Sequence, residues 1–159
     1  MPDAPEVFRR TLQVRWSDID FLAHMKNTAY LDAAVDVRFL YFESCGLAAR
    51  DFADLGIGPV VQRDDIEYFR ELRFLDLFAV THEIAGSSED FSRFMLRNEF
   101  YRPDGKLAAR LTSTGGWLDL AARKLIAPPP AVASALGALA RTADWALLPS
   151  SVRAAGPSA

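Results

Sequence analysis

One long helical period, followed by almost nothing but strand-like segments, leaves this chain few folds to choose from. From Asn27 onward, Tyr30, Ala33, Ala34, Val37, Leu40, Tyr41 and Cys45 recur at three-and-four spacing, and Gly46 is placed to end the helix. At 1.5 Å per residue such a helix is roughly 30 Å long, enough to cross a small domain. After Gly56 and the Gly58-Pro59 break the pattern changes to β-branched and aromatic runs. Four strands are predicted there, near Val60 to Phe69, Phe78 to Gly86, Ser92 to Tyr101 and Leu107 to Leu120. The Asp104-Gly105 pair predicts a hairpin between the last two. A fifth strand, from Phe8 to Trp16, precedes the helix, and Ser113 to Gly116 reads as a small-residue strand with a bulge. Beyond Pro128-Pro129-Pro130, the residues Val132, Leu136, Leu139 and Ala143 predict a short surface helix. The expected architecture is α+β: one long helix laid across a largely antiparallel five-stranded sheet.

A length of 159 residues suits one domain, here expected over 1–159, with the Ser-, Ala-, Gly- and Pro-rich residues 149–159 as a flexible tail. Eighteen basic residues against 21 acidic ones leave a formal charge of −3, so no basic field exists to hold a nucleic acid. The lone Cys45 has no internal partner, and the N-terminal MPDAPEVFRR lacks the apolar core of a signal peptide. No apolar run approaches the roughly 20 residues that span a bilayer. A cytoplasmic protein without a membrane partner is expected. His24, His82 and Cys45 lack the spacing of a metal site, and there is neither a phosphate-cradling glycine loop nor a Gly-x-Ser-x-Gly elbow. No metal and no cofactor are expected.

Chemistry concentrates between Val14 and Leu31, VRWSDIDFLAHMKNTAYL, where Asp18, Asp20, His24 and Asn27 crowd the approach to the helix N-terminus. Free backbone N–H groups and the helix dipole favour negative charge there, which suits chemistry on a carbonyl. A plainer reading is a capping loop whose Asp and Asn side chains only satisfy orphan amides.

The order of elements, together with Trp16-Ser17-Asp18-Ile19-Asp20 followed by His24, Asn27 and Tyr30-Leu31, resembles the hotdog-fold acyl-CoA thioesterases of the 4-hydroxybenzoyl-CoA thioesterase type. The likeness covers about residues 8 to 127 in architecture, with a specific motif over Trp16 to Leu31. Ala23-His24 stands where that family often has Gly-His or His-His, Lys26-Asn27 where it often has paired Asn, and Val35 where a Glu is common; Arg38 matches its usual Arg. The resemblance implies hydrolysis of an acyl-CoA or related acyl thioester to free acid and thiol. It implies Asp20 as the catalytic carboxylate, acting as nucleophile or as general base, and the Asn27 amide as oxyanion donor. It also implies a homodimer, or a homotetramer built from dimers, with each site between subunits.

Around that core the other assignments stay open. Asp18, expected to face the same side as Asp20 in an extended segment, is assigned chiefly to fixing the loop. His24 either contacts the pantetheine arm or holds the loop. Tyr68 and Phe69 either line the acyl site or serve as core aromatics. Arg93, Arg97 and Arg110 either meet the nucleotide phosphates or form a solvated face. The rival functions are a hotdog-fold hydratase or dehydratase using His24, and a non-catalytic acyl-thioester binding module.

Overall fold

In the computed structural model, which describes residues 3–152, the helix expected from Asn27 is α1, Asn27–Ser44. The strand before it, β1, is Phe8–Gln13, shorter than expected because Trp16–Asp18 turns into a short 3-10 segment. The four strands after it are β2 (Ile57–Tyr68), β3 (Leu77–Ser87), β4 (Arg93–Tyr101) and β5 (Leu107–Asp119). Their order across the sheet is β1-β3-β4-β5-β2. All these neighbours are antiparallel, and Arg102 and Lys106 close the hairpin around Asp104-Gly105 as expected.

Among the described residues the sheet has seven strands rather than five. A short β6, Lys124–Ile126, adds to β5, and β7, Arg141–Leu147, runs parallel to β3. β7 takes up the edge of β3 where β1 leaves it: β1 pairs with Leu77 to His82, β7 with Ile84 to Ser87. The helix expected through Ala143 therefore stops earlier, as α3, Pro130–Gly137, and Ala143 lies in β7. Ala140 accepts from the Ile84 N–H and Ser87 from the Leu148 N–H, so sheet bonding overrides the helical spacing. α2, Ala49–Leu55, was not foreseen; Asp51 accepts the Ala48 N–H at its start and Gly56, at φ 68°, ends it in the left-handed region. Among the residues expected to form the tail, Ser150 donates to Asp90 and the Ser151 N–H to Ser92; residues 153–159 lie outside those described.

The irregularity expected in β5 falls on its partner: the β2–β5 register slips between Val61 and Arg63. Beside it, a Cβ at Gly115 would fall 2.0 Å from the Val60 carbonyl oxygen, so only glycine lets the two strands approach there.

α1 lies on one face of the sheet and its core is divided in two. One cluster gathers the N-terminal half of α1 (Ala29, Tyr30, Ala33, Val37) with Val80, Phe100 and Leu111. The other gathers the C-terminal half (Tyr41, Phe42) with Ile84, Phe94, Trp117 and Leu136. Between them the inward positions of three adjacent strands are polar: His82 lies between Val80 and Ile84, Asn98 between Leu96 and Phe100, and Ser113 two residues beyond Leu111. This layer faces Arg38. The Arg38 Nε donates to Asn98 at 2.9 Å and Nη2 to Ser113 at 2.7 Å, and Ser113 in turn donates to Asp64. Asn98 gives its amide protons to the Thr81 carbonyl and to His82 Nδ1, which leaves the imidazole proton on Nε2. Bonding of this kind offsets most of the desolvation cost of burying these polar groups.

Candidate active site

The loop between the 3-10 turn and α1 is a tight hairpin of its own. Ile19 bridges Met25, the Asp20 N–H donates to the His24 carbonyl at 3.0 Å, and the Ala23 N–H returns to Asp20 at 3.0 Å. Ala23 sits at φ 61°, the left-handed position that closes a three-residue loop and that glycine fills at least cost. The connection from β2 to β3 docks against this hairpin. Met25 donates to the Leu72 carbonyl, His24 bridges Arg73, and Val14 and Asp76 bond alongside.

Asp18 and Asp20 part company, the first buried and the second exposed, because Asp18 ends a 3-10 turn and the two do not share one extended segment. Asp18 is 7% exposed and receives the backbone N–H, Nε and Nη2 of Arg15. Burial alone raises its carboxyl, but the bonds and charge of Arg15 outweigh that and hold it below the ordinary range. Its carbonyl also accepts the Lys26 N–H at 2.8 Å, which ties the turn to the start of α1. Asp20 is exposed. Its Oδ1 accepts the Leu22 N–H at 2.9 Å in an Asx turn, and its other oxygen makes no bond among the described residues. The capping-loop geometry and a free carboxylate oxygen thus coexist in one side chain.

α1 begins at Asn27 after an extended Lys26, with no side-chain cap. The N–H groups of Asn27 and Thr28 make no hydrogen bond among the described residues and are open to an acceptor. Asn27 itself is exposed and His24 half-buried. Tyr68 reaches the same end of α1 through Tyr30: their rings meet edge to face at 5.3 Å, and Tyr30 also packs on Phe100. Burial, with lesser contributions from Tyr68 and Glu71, pushes the Tyr30 hydroxyl up to about 12, so it stays protonated at neutral pH. Asp20, His24, Asn27 and Tyr68 therefore gather around one end of α1. The loop tip beyond Asp20 is bare, with Phe21 95% exposed.

The strand arginines are otherwise engaged. Arg97 pairs with Asp144 at 2.7 Å, Arg110 with Glu99 at 3.0 Å, and Arg93 donates to Ser151. The solvated-face reading describes them better than a phosphate cradle. No cluster of three or more His, Cys, Asp or Glu among the described residues has the geometry to hold a metal, and none of their helices is long and apolar enough to cross a membrane.

Arg38 and its polar layer escaped the sequence reading as a buried network. The available signal was a polar residue at each inward position of three strands that are otherwise apolar on that face, visible once the period-two faces are assigned.

Comparison with known proteins agrees with this architecture. A hypothetical protein from Staphylococcus aureus, solved in complex with CoA, superposes with a TM-score of 0.77 at 23% identity, over 86% of this chain and 85% of that one. A 1,4-dihydroxy-2-naphthoyl-CoA thioesterase from Synechocystis gives a TM-score of 0.75 at 19% identity, over 83% and 96%. A DHNA-CoA thioesterase from Staphylococcus aureus gives 0.75 at 16% identity, over 82% and 89%. At these identities the likeness is one of fold. The model of the thioesterase-like superfamily matches residues 14–136, from the strand end before the Asp20 loop through α3, and the chain belongs to that superfamily.

Proposed function

We propose that this protein hydrolyses an acyl-CoA, or a related acyl thioester, to the free acid and thiol. The observation that carries the reading is the pairing of an exposed Asp20 carboxylate, one oxygen unbonded, with the two open amides of Asn27 and Thr28 across a loop braced on both sides. A thioester carbonyl set against those amides has donors aimed where its oxyanion develops, a contribution typically near 3 to 4 kcal/mol per donor. Asp20 then supplies the attack, either directly as nucleophile or by taking a proton from water. Membership of the superfamily and fold neighbours that are CoA thioesterases support the same reaction class. In this reading His24 and Tyr68 border the substrate, and the motif is of the kind found in the 4-hydroxybenzoyl-CoA type.

The site is completed by a second copy of the chain. Among the described residues β2 pairs only with β5, leaving its outer edge open to a partner, and Val61, Tyr68 and Phe69 stand half-exposed along it and just beyond. A homodimer, with a homotetramer as its further assembly, covers these groups. Specific activity per chain should fall when the protein is diluted below its dimer dissociation constant; a verified monomer of full activity would refute the shared site.

The hydrolysis itself is tested by thiol release from a panel of acyl-CoAs. Asp20→Asn keeps the shape of the side chain but is neither nucleophile nor base, so turnover should drop at least about 100-fold with a melting temperature near wild type. Asp18→Asn should lose stability more than turnover, since Arg15 would face an uncharged partner. A well-folded but inactive Asp18→Asn beside an active Asp20→Asn would reverse the assignment, and thiol release by neither variant nor wild type would leave a binding module.

A further inference from the structure

A cavity of about 350 Å3 opens between the C-terminal half of α1 and the sheet, away from the Asp20 loop. Its walls are Phe39, Phe42, Phe94, Leu96 and Trp117, with Arg38 as their one charged member. Val35 and Val61, both half-exposed, stand at its rim. An apolar pocket of this size usually binds a small organic group, and its few polar atoms fix what that group must carry.

One of those polar atoms is a donor with no protein acceptor among the described residues. Arg38 is 7% exposed and spends Nε and Nη2 on the neutral oxygens of Asn98 and Ser113; Nη1 meets no acceptor among the described residues. No carboxylate pairs with it directly there, for Asp64 is reached only through the Ser113 hydroxyl. Trp117 contributes its ring to the wall, its indole N–H being fully buried. A buried cation with only neutral ligands is costly unless an acceptor is supplied from outside.

The helix connects this cavity to the proposed chemistry. Asn27, Leu31, Val35, Arg38 and Phe42 follow the three-and-four spacing of one face of α1. Arg38 lies eleven residues beyond Asn27, roughly 16 Å along the axis, and its long side chain leans back toward the N-terminus. An acyl group whose thioester sits at the Asn27 amide and whose tail follows this face ends at Arg38.

We propose that this cavity receives the far end of the acyl group, and that Arg38 Nη1 selects acyl groups bearing an acceptor oxygen, hydroxyl or carboxylate, at the end remote from the thioester. The inference rests on the hydrolytic reading for the position of the thioester, and on the cavity alone for the oxygen.

The test uses the full chain and matched sets of acyl-CoAs of about eight to sixteen carbons, a range set by the helix span, each with a plain, an ω-hydroxy and an ω-carboxy terminus. At the preferred length an oxygenated substrate should exceed its plain counterpart in kcat/KM by at least about tenfold, as expected for a hydrogen bond to a charged group. The better of the two termini identifies the oxygen. Plain substrates that equal or exceed both oxygenated ones at every length overturn the proposal. Binding of the corresponding non-hydrolysable alkyl-CoA thioethers, followed by calorimetry, separates this inference from the reading beneath it. Selective binding of the ω-oxygenated thioethers without hydrolysis of any acyl-CoA sustains the cavity and removes the hydrolase, whereas hydrolysis without selectivity does the reverse. In Arg38→Met the preference should collapse toward unity, and a folded variant that keeps it refutes the role of Arg38. Since Arg38 is a core residue, the wild-type ratio between matched substrates decides the matter if that variant does not fold.

Discussion

Acidification should destabilise this protein before most of its carboxylates protonate, and the residue responsible is His82. Its ring is 1% exposed, accepts from Asn98 through Nδ1 and packs edge to face against Tyr41 at 5.4 Å. Burial first, and the neighbouring Arg38 guanidinium second, push its pKa down from 6.5 to about 3. The unfolded chain therefore binds a proton below pH 6.5 that the folded chain refuses until about pH 3, and stability falls as pH drops through that window. At pH 5 the loss is RT ln(1 + 10^1.5), about 2 kcal/mol, and it scarcely depends on the folded value so long as that stays below about 4. For a chain of this size it corresponds to a fall of about 4 to 8 °C in Tm. Urea unfolding from pH 7.5 to 5 would measure it, beside His82→Gln, whose amide oxygen can still accept from Asn98 but does not titrate. The wild type should lose about 2 kcal/mol more than the variant over that range. Parallel stability curves for the two proteins would show that His82 is not the group that refuses the proton.

Two substitutions test the backbone positions where glycine chemistry matters. Ala23→Gly should relieve the left-handed conformation of the Asp20 loop and raise stability by up to about 1 kcal/mol, read by thermal unfolding; a loss instead would mean the loop is held by side-chain packing. Gly115→Ala should destabilise by at least about 2 kcal/mol, because its Cβ would press the Val60 carbonyl and force β2 from β5, and an unchanged Tm would refute that close approach.

What could be read from the sequence was whatever is local. The helix from Asn27 and the four strands after Gly56 follow from apolar spacing within a few residues, and the Asp104-Gly105 turn from the φ values those residues tolerate. The crowding of Asp18, Asp20, His24 and Asn27 before α1 was equally local. The tertiary structure decided everything that depends on distant partners. β7 is a strand because β3 offers it an open edge, although its first residues continue the helical spacing of α3. Asp18 is buried and Asp20 free because Arg15 folds back onto the first and the β2–β3 connection braces the loop. Arg38 meets Asn98 and Ser113 from 60 and 75 residues away, and such a layer has no signature in any short window. Spacing along a chain encodes which face of an element is apolar; which polar groups share a buried layer is settled only when the faces close on one another and each donor must find its acceptor.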